Sequence, residues 1–260
     1  MDTPQPTSYR VLVIGDACTD RYYYGEVTRL SPEAPVPVLK HLYTEERLGM
    51  CLNVGANLEA LGALVDVLKN DEMIYKDRFV DTKTRQHLLR ADFGENTKVD
   101  SVDPSLVDVT KYAAVVISDY NKGYIDTEAA ATISAKCHEA GVPLFVDSKK
   151  KNLTCYENCF IKINEKERDE LHSHSPSAEL IVTLGARGVR WKDVVYPTEE
   201  CEVFDVSGAG DTFLAALVYR YLEAGDMPAA LKFANECARI VVQKFGTYCL
   251  KKEDLDDVRF

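Results

Sequence analysis

Short, unbroken apolar runs recur along the chain, each stopped by a glycine or a polar residue: Arg10-Val-Leu-Val-Ile-Gly15, Tyr112-Ala-Ala-Val-Val-Ile-Ser118, Val142-Pro-Leu-Phe-Val-Asp147 and Leu180-Ile-Val-Thr-Leu184. Continuous rather than alternating apolar character predicts strands covered on both faces. Between the second and third runs lies a helical pattern, residues 126–140, with Asp126 as cap candidate, Glu128 in the first turn and Gly141 as its stop. Strand, helix, strand spacing of this kind predicts right-handed crossovers and a mainly parallel α/β sheet covered by helices.

Two stretches break the rhythm. Residues 21–47 carry aromatics, β-branched residues and three prolines, which predicts short edge strands projecting from the core as a lid or a dimer-forming flap. Residues 69–110 are polar and acidic with weak periodicity apart from Thr84-Arg-Gln-His-Leu-Leu-Arg90. With no repeat or linker in view, the expectation is one domain over residues 1–260 with a small β appendage.

Composition narrows the class of ligand. The chain has 260 residues, 46% apolar and 28% charged, enough to bury a core and too apolar for disorder. Its formal net charge of −11 repels nucleic acid and anionic membrane surfaces, so any phosphate must be held by local devices. No apolar run is long enough to span a bilayer, and the opening Met1-Asp-Thr-Pro-Gln-Pro-Thr7 has neither a basic nor an apolar stretch. A cytoplasmic protein is expected. The eight cysteines show no disulfide rhythm. Cys155 and Cys159 with His172 and His174 have ligand chemistry suited to zinc, although a buried cysteine at a strand edge and a solvated loop explain the same residues.

The segment with the most chemistry in it is Asp205-Val-Ser-Gly-Ala-Gly-Asp-Thr-Phe213, which runs into the helical pattern Leu214–Leu222. Gly208 and Gly210 clear side chains from a helix start, leaving backbone N–H groups and the positive end of the dipole free to hold an anion. Asp211 stands in the first turn, where a carboxylate can take a proton from an attacking hydroxyl. A plain turn with an N-terminal cap would use the same residues.

These residues resemble the signature of the ribokinase-like (PfkB) carbohydrate kinases. Val13-Ile-Gly-Asp-Ala-Cys-Thr-Asp20-Arg-Tyr-Tyr-Tyr-Gly25, followed by Arg29-Leu-Ser-Pro-Glu-Ala-Pro-Val-Pro-Val38, is similar to the opening of the D-glycero-β-D-manno-heptose 7-phosphate kinases within that family. Gly49-Met-Cys-Leu-Asn53-Val-Gly-Ala-Asn57 resembles their sugar-binding segment, and Thr82–Arg85, Ser118–Gly123 and Phe245-Gly-Thr247 also match. The resemblance runs from residue 10 to residue 250.

It implies a three-layer sandwich with a small β lid, and an ATP- and Mg²⁺-dependent kinase that phosphorylates the anomeric hydroxyl of heptose 7-phosphate. Asp211 would be the base, and the amides of Gly208, Ala209 and Gly210 would stabilise the transferring phosphoryl group. Thr183, Gly185 and Gly188 would form a nucleotide loop at a strand's C-terminal end, with Asn235 beside the adenine and Lys149 near the phosphates. Asn164 and Glu167 match the family's Asn-x-x-Glu element, with Glu167 reaching Mg²⁺ through water. For the acceptor, Asp20, Asn53 and Gly49 fall on the sugar and Arg85 and Lys122 on its remote phosphate. A homodimer through the lid strands completes the expectation.

Two features depart from the family pattern. Met50 stands where the second glycine of a Gly-Gly element belongs, and several dozen residues, including a strand and a helix, are missing between Leu68 and Thr82. A kinase of another sugar or sugar phosphate, and a non-catalytic sugar-phosphate-binding or dimer-scaffold homologue, are the alternatives.

Overall fold

The computed structural model describes residues 9–255 and Val258. The strands are β1 (Arg10–Gly15), β2 (Ala17–Leu30), β3 (Pro37–Met50), β4 (Leu64–Lys69), β5 (Tyr75–Asp81), β6 (His87–Phe93), β7 (Ala114–Asp119), β8 (Leu144–Ser148), β9 (Asn152–Leu153), β10 (Phe160–Asn164), β11 (Ser173–His174), β12 (Glu179–Thr183), β13 (Val189–Trp191) and β14 (Val194–Tyr196). The helices are α1 (Cys51–Leu61), α2 (Thr127–Ala140), α3 (Glu165–Asp169), α4 (Ala209–Ala224), α5 (Met227–Val242) and α6 (Lys252–Leu255).

Eight strands form the large sheet in the order β14-β13-β12-β10-β8-β7-β1-β4, parallel from β12 to β4, with the β13–β14 hairpin antiparallel at one edge. The apolar runs of β1, β7 and β8 are buried on both faces, which is why they lack alternation. Val11, Val13, Val116 and Phe145 point into a core shared with α1, α4 and α5. Leu12, Ile14, Ile117 and Val146 point into a second core that includes α2. Helices, sheet and helices therefore make three layers. The Asp126 side chain caps α2 by accepting from the Ala129 N–H at 2.7 Å, and Gly141 ends it at φ 67°.

The second sheet, β3-β2-β5-β6, covers one mouth of the first. β2 and β3 are fourteen residues each, longer than the short strands expected over 21–47, and pair from Ala17 opposite Met50 to Leu30 opposite Pro37. β5 and β6 come from the stretch that the sequence presents as polar and aperiodic. Their pattern is hidden because Lys76 and Arg78 are buried on the cavity face of β5 and Asp77 is buried on the other face against Arg21, so charge stands where apolar residues would normally mark an inward face. The lid is tied to the segment after α5: the Arg47 guanidinium donates to the carbonyls of Phe245 at 2.8 Å and Thr247 at 3.2 Å, and the Thr247 N–H donates to the Tyr22 hydroxyl at 2.8 Å.

No helix among the described residues is long and apolar enough to cross a membrane. The zinc alternative fails on the same ground of placement. Among the described residues no three His, Cys, Asp or Glu side chains gather to hold a metal, and all eight cysteines are free. Cys159 is buried among apolar side chains, which pushes its thiol up to about 12 and disfavours the thiolate a metal requires.

Candidate active site

The start of α4 lies between two cavities. One, of about 430 Å³, opens under the lid and is lined by Asp20, Lys76, Arg78, Lys122, Gly208 and Asp211, among others. The other, of about 670 Å³, lies on the far side and is lined by Asn164, Thr183, Gly185, Gly188, Ala209, Gly210 and Asn235, with Val203, Val206 and Val242 supplying apolar surface. Consecutive residues of one helical turn thus face opposite cavities: Gly208 and Asp211 the first, Ala209 and Gly210 the second.

Two glycines make that turn possible. Gly208 sits at φ 79°, and a Cβ there would come within 2.8 Å of Asn53 Nδ2. At Gly210 a Cβ would come within 2.8 Å of Lys162 Nζ, so the backbone and a buried ammonium approach each other with nothing between. Upstream, Asp205 fastens the turn by accepting from the Ser207 N–H at 2.8 Å and the Gly246 N–H at 3.0 Å.

Asp211 is buried and both its carboxylate oxygens accept a hydrogen bond. Asn53 Nδ2 donates to Oδ2 at 3.0 Å, and the Tyr120 hydroxyl donates to Oδ1 at 2.8 Å. Asn57 donates to Asn53 Oδ1 at 3.1 Å, which fixes the amide so that its N–H groups point at the carboxylate. Burial pushes the Asp211 carboxyl up to about 6, helped by the nearby Asp147 charge; the Asn53 and Tyr120 donors and the Lys162 ammonium pull the other way. A carboxylate so poised is ionised at neutral pH yet basic enough to take a hydroxyl proton.

Beneath the turn runs a chain of charges. Lys162 Nζ contacts Asp147 Oδ2 at 2.5 Å, and Lys149 Nζ bridges Asp147 Oδ1 at 2.8 Å and Glu167 Oε1 at 2.7 Å. Glu167 Oε2 accepts from the Asn164 N–H at 2.8 Å while Asn164 Oδ1 accepts from the Glu167 N–H at 2.9 Å, a capping box that begins α3. Burial alone would raise Asp147; the two ammonium groups outweigh it and hold the carboxyl at about 2. Asn235 is held by its amide to the carbonyls of Tyr196 at 2.9 Å and Pro197 at 3.3 Å, at the wall of the second cavity.

On the lid side Asp20 accepts from Arg78 Nη1 at 2.5 Å and from the Thr247 hydroxyl at 3.2 Å. Gly49 lies against it, where a Cβ would meet Asp20 Oδ2 at 2.6 Å. Lys76 and Lys122 both reach Glu95, at 2.7 and 2.9 Å, and Arg90 forks onto Asp92 at 2.7 and 2.9 Å. Arg85 is not brought to this cavity. It sits exposed at φ 58° in the β5–β6 turn, its N–H donating to the Asp81 carbonyl at 2.8 Å, and Arg78 and Arg90 stand at the cavity instead.

Sequence reasoning missed Tyr120, Lys162, Arg78 and Arg90. A lysine inside the apolar run Phe160-Ile-Lys-Ile163 is the one local signal among them, since a buried cation needs a reason.

A model of the pfkB family of carbohydrate kinases matches residues 78–253. The bifunctional protein HldE of Pseudomonas syringae pv. syringae (strain B728a) is 32% identical over 299 residues, covering 94% of this chain and 62% of that protein. The D-beta-D-heptose 7-phosphate kinase of Bordetella bronchiseptica is 32% identical over 298 residues, covering 95% of each chain. This chain therefore spans about 62% of the length of the bifunctional relatives, and the alignment is longer than its 260 residues, so those relatives carry segments absent here. Among solved structures, Arabidopsis thaliana ribokinase complexed with ribose and ATP superposes with a TM-score of 0.70 at 17% identity, covering 98% of this chain and 100% of that one. Phosphofructokinase-2 from Escherichia coli superposes with a TM-score of 0.75 at 15% identity, covering 96% and 98%. At those identities the likeness is one of fold, the ribokinase-like α/β sandwich.

Proposed function

The chain belongs to the pfkB family of carbohydrate kinases, and we propose that it transfers the γ-phosphoryl group of ATP to the anomeric hydroxyl of D-glycero-D-manno-heptose 7-phosphate, giving the 1,7-bisphosphate. The observation that carries this reading is the turn 208–211, one helix start with Asp211 on a cation-lined cavity and Ala209 and Gly210 on a second, larger one.

In this reaction Asp211 takes the proton of the anomeric hydroxyl. The sugar oxygen bonds to the γ-phosphorus, the bond from that phosphorus to the β–γ bridging oxygen breaks, and ADP leaves. The amides of Gly208 and Gly210 and the positive end of α4 meet the charge of the phosphoryl group in flight; the Ala209 N–H, expected to join them, donates to the Val206 carbonyl at 3.2 Å. Thr183, Gly185, Gly188, Asn164 and Asn235 hold the nucleotide in the second cavity. Asp20, Asn53 and Gly49 shape the sugar end of the first, and Lys122, Lys76 and Arg90 suit the remote phosphate, the role first given to Arg85.

Magnesium carried by the nucleotide would neutralise phosphate charge. It keeps several waters and takes few protein carboxylates. Asp147 and Glu167 are both held by Lys149, a donor set that fits contact through water better than direct coordination. The enzyme would act in the cytoplasm, where ATP is available. It would pair through its lids: Leu48, Leu89 and Phe93, each more than half exposed, lie on the lid face opposite the cavity. Purified protein supplied with ATP, Mg²⁺ and a panel of sugars and sugar phosphates tests the reading; ADP release with a phosphorus NMR signal at the anomeric position is expected, and no turnover on any acceptor would reject it.

A further inference from the structure

We infer that Met50 sets the acceptor range of this kinase by walling the acceptor cavity, so that it takes sugar phosphates that are smaller or carry fewer hydroxyls than an open site would accept. The inference rests on the phosphoryl-transfer reading above and bears on its acceptor, ranking heptose 7-phosphate against smaller sugar phosphates.

Met50 ends β3 opposite Ala17 and is the cap residue of α1, at φ 57° and ψ −131°. That region suits glycine and strains any residue with a Cβ. Of the five non-glycine residues with positive φ among the described residues, Arg85, Asn121, Asn158 and Lys192 are exposed; Met50 alone is buried, at 3% exposure. An exposed turn can bear such a residue without consequence. A buried thioether held there is placed by its neighbours, and two of them, Cys18 and Tyr120, line the acceptor cavity with it.

Met50 packs with Cys18 and Ile74, and Tyr120 leans on the same small cluster. Met50, Cys18 and Tyr120 also line the cavity that contains Asp20 and Asp211. The cavity thus has two unlike walls. One wall, farther along the lid strands, carries Asp20, Lys76, Arg78 and Arg90, able to satisfy hydroxyls and a phosphate. The other, where β2 begins and β3 ends, presents the Met50 thioether, which has no donor, and the Cys18 thiol, a weak one, beside Tyr120, whose hydroxyl already donates to Asp211. A sugar hydroxyl turned toward that wall loses its water and gains no partner. A C–H face loses nothing there. Glycine at position 50 would remove both the strain and the bulk, and would leave room for a further hydroxyl or carbon.

The test compares kcat/KM for heptose 7-phosphate, a hexose 6-phosphate and its 2-deoxy counterpart in the wild-type protein and in Met50→Gly and Met50→Leu. Wild type should prefer the deoxy compound over its parent hexose phosphate by about tenfold or more, the scale on which an unpaired hydroxyl or one extra carbon discriminates. Met50→Gly should shift the ratio at least about tenfold toward the more hydroxylated and larger acceptors, mainly through acceptor KM and with the KM for ATP unchanged. Met50→Leu, which keeps the apolar bulk, should retain the wild-type order. Equal use of the parent and deoxy compounds by wild type, or an unchanged profile in Met50→Gly, would overturn the inference while leaving the kinase reading intact. Absence of turnover by wild type on every acceptor would overturn both.

Discussion

The hydroxyl of Tyr120, the residue that follows β7, donates to Oδ1 of Asp211, in the first turn of α4, at 2.8 Å. With Asn53 on Oδ2, the carboxylate is met by one donor on each oxygen before any substrate arrives, and each oxygen keeps a second lone pair for an incoming hydroxyl. Both donors stabilise the ionised form. They offset part of the burial that lifts this carboxyl to about 6.

Tyr120→Phe keeps the ring and removes the donor. Asp211 then titrates higher, and because the base must be ionised, activity is lost at higher pH than in wild type. The acid limb of kcat/KM, expected near pH 6 for wild type, should move up by about one pH unit, the scale of one hydrogen bond to a charged group. A pH–rate profile superimposable on wild type would remove Tyr120 from this role.

Asp211→Asn should lower kcat by about 10² to 10⁴ if the carboxylate is the base. The same change should stabilise the fold at neutral pH. The folded-state value of Asp211 lies above the ordinary carboxylate value of 3.8, so ionisation costs the folded state. That cost appears as pH rises from about 4 and is complete a little above 6, and it amounts to about 2–3 kcal/mol. Thermal melts at pH 7.5 and pH 4 should show the variant more stable at the first and equal at the second.

Lys162→Met leaves Asp147 with Lys149 alone and should cost about 3–5 kcal/mol, the usual penalty for breaking a buried pair from one side. Lys162→Met combined with Asp147→Asn should recover much of that stability without recovering kcat, because the ammonium beside Gly210 is still missing. Denaturant titration and turnover measured on the same preparations separate the two effects.

Arg90→Ala should raise the KM of a phosphorylated acceptor by about tenfold or more and leave that of its unphosphorylated sugar nearly unchanged, since a guanidinium fork matches a phosphate and not a lone hydroxyl. Arg85→Ala, in the exposed β5–β6 turn, should change neither. Equal effects on both sugars would place the remote phosphate elsewhere.

Leu89→Glu with Phe93→Glu puts charge on the outer face of the lid, where both side chains are more than half exposed. Light scattering at micromolar concentration should report a dimer for wild type and a monomer for the variant. A monomeric wild type would end the proposal of pairing through the lids.

How much of this could be read beforehand follows a physical line. Strands β1, β7, β8 and β12 were legible because a strand covered on both faces must be apolar throughout, and α2 because Asp126 and Gly141 mark its ends within one turn each. Strands β5 and β6 were not, because Lys76 and Arg78 of β5 are buried against a charged cavity and Arg90 and Asp92 of β6 line the same cavity, so the face turned inward is charged rather than apolar. Arg85 was singled out by its place in a motif; the backbone turn at Asp81–Gln86 sends it to solvent.

By itself the order of residues determined the layered α/β architecture, the helix that begins at residues 208–211, and the carboxyl placed in that helix's first turn. Those depend on neighbours a few positions away, through backbone conformation, capping and the sheer need to hide apolar runs from water. Only the tertiary structure decided that Tyr120 would meet Asp211 from 91 positions away, that Arg78 would meet Asp20 from 58, and that Lys162 would lie under Gly210. Contacts between distant segments depend on how sheets and lid close on one another, and no local pattern encodes that closure.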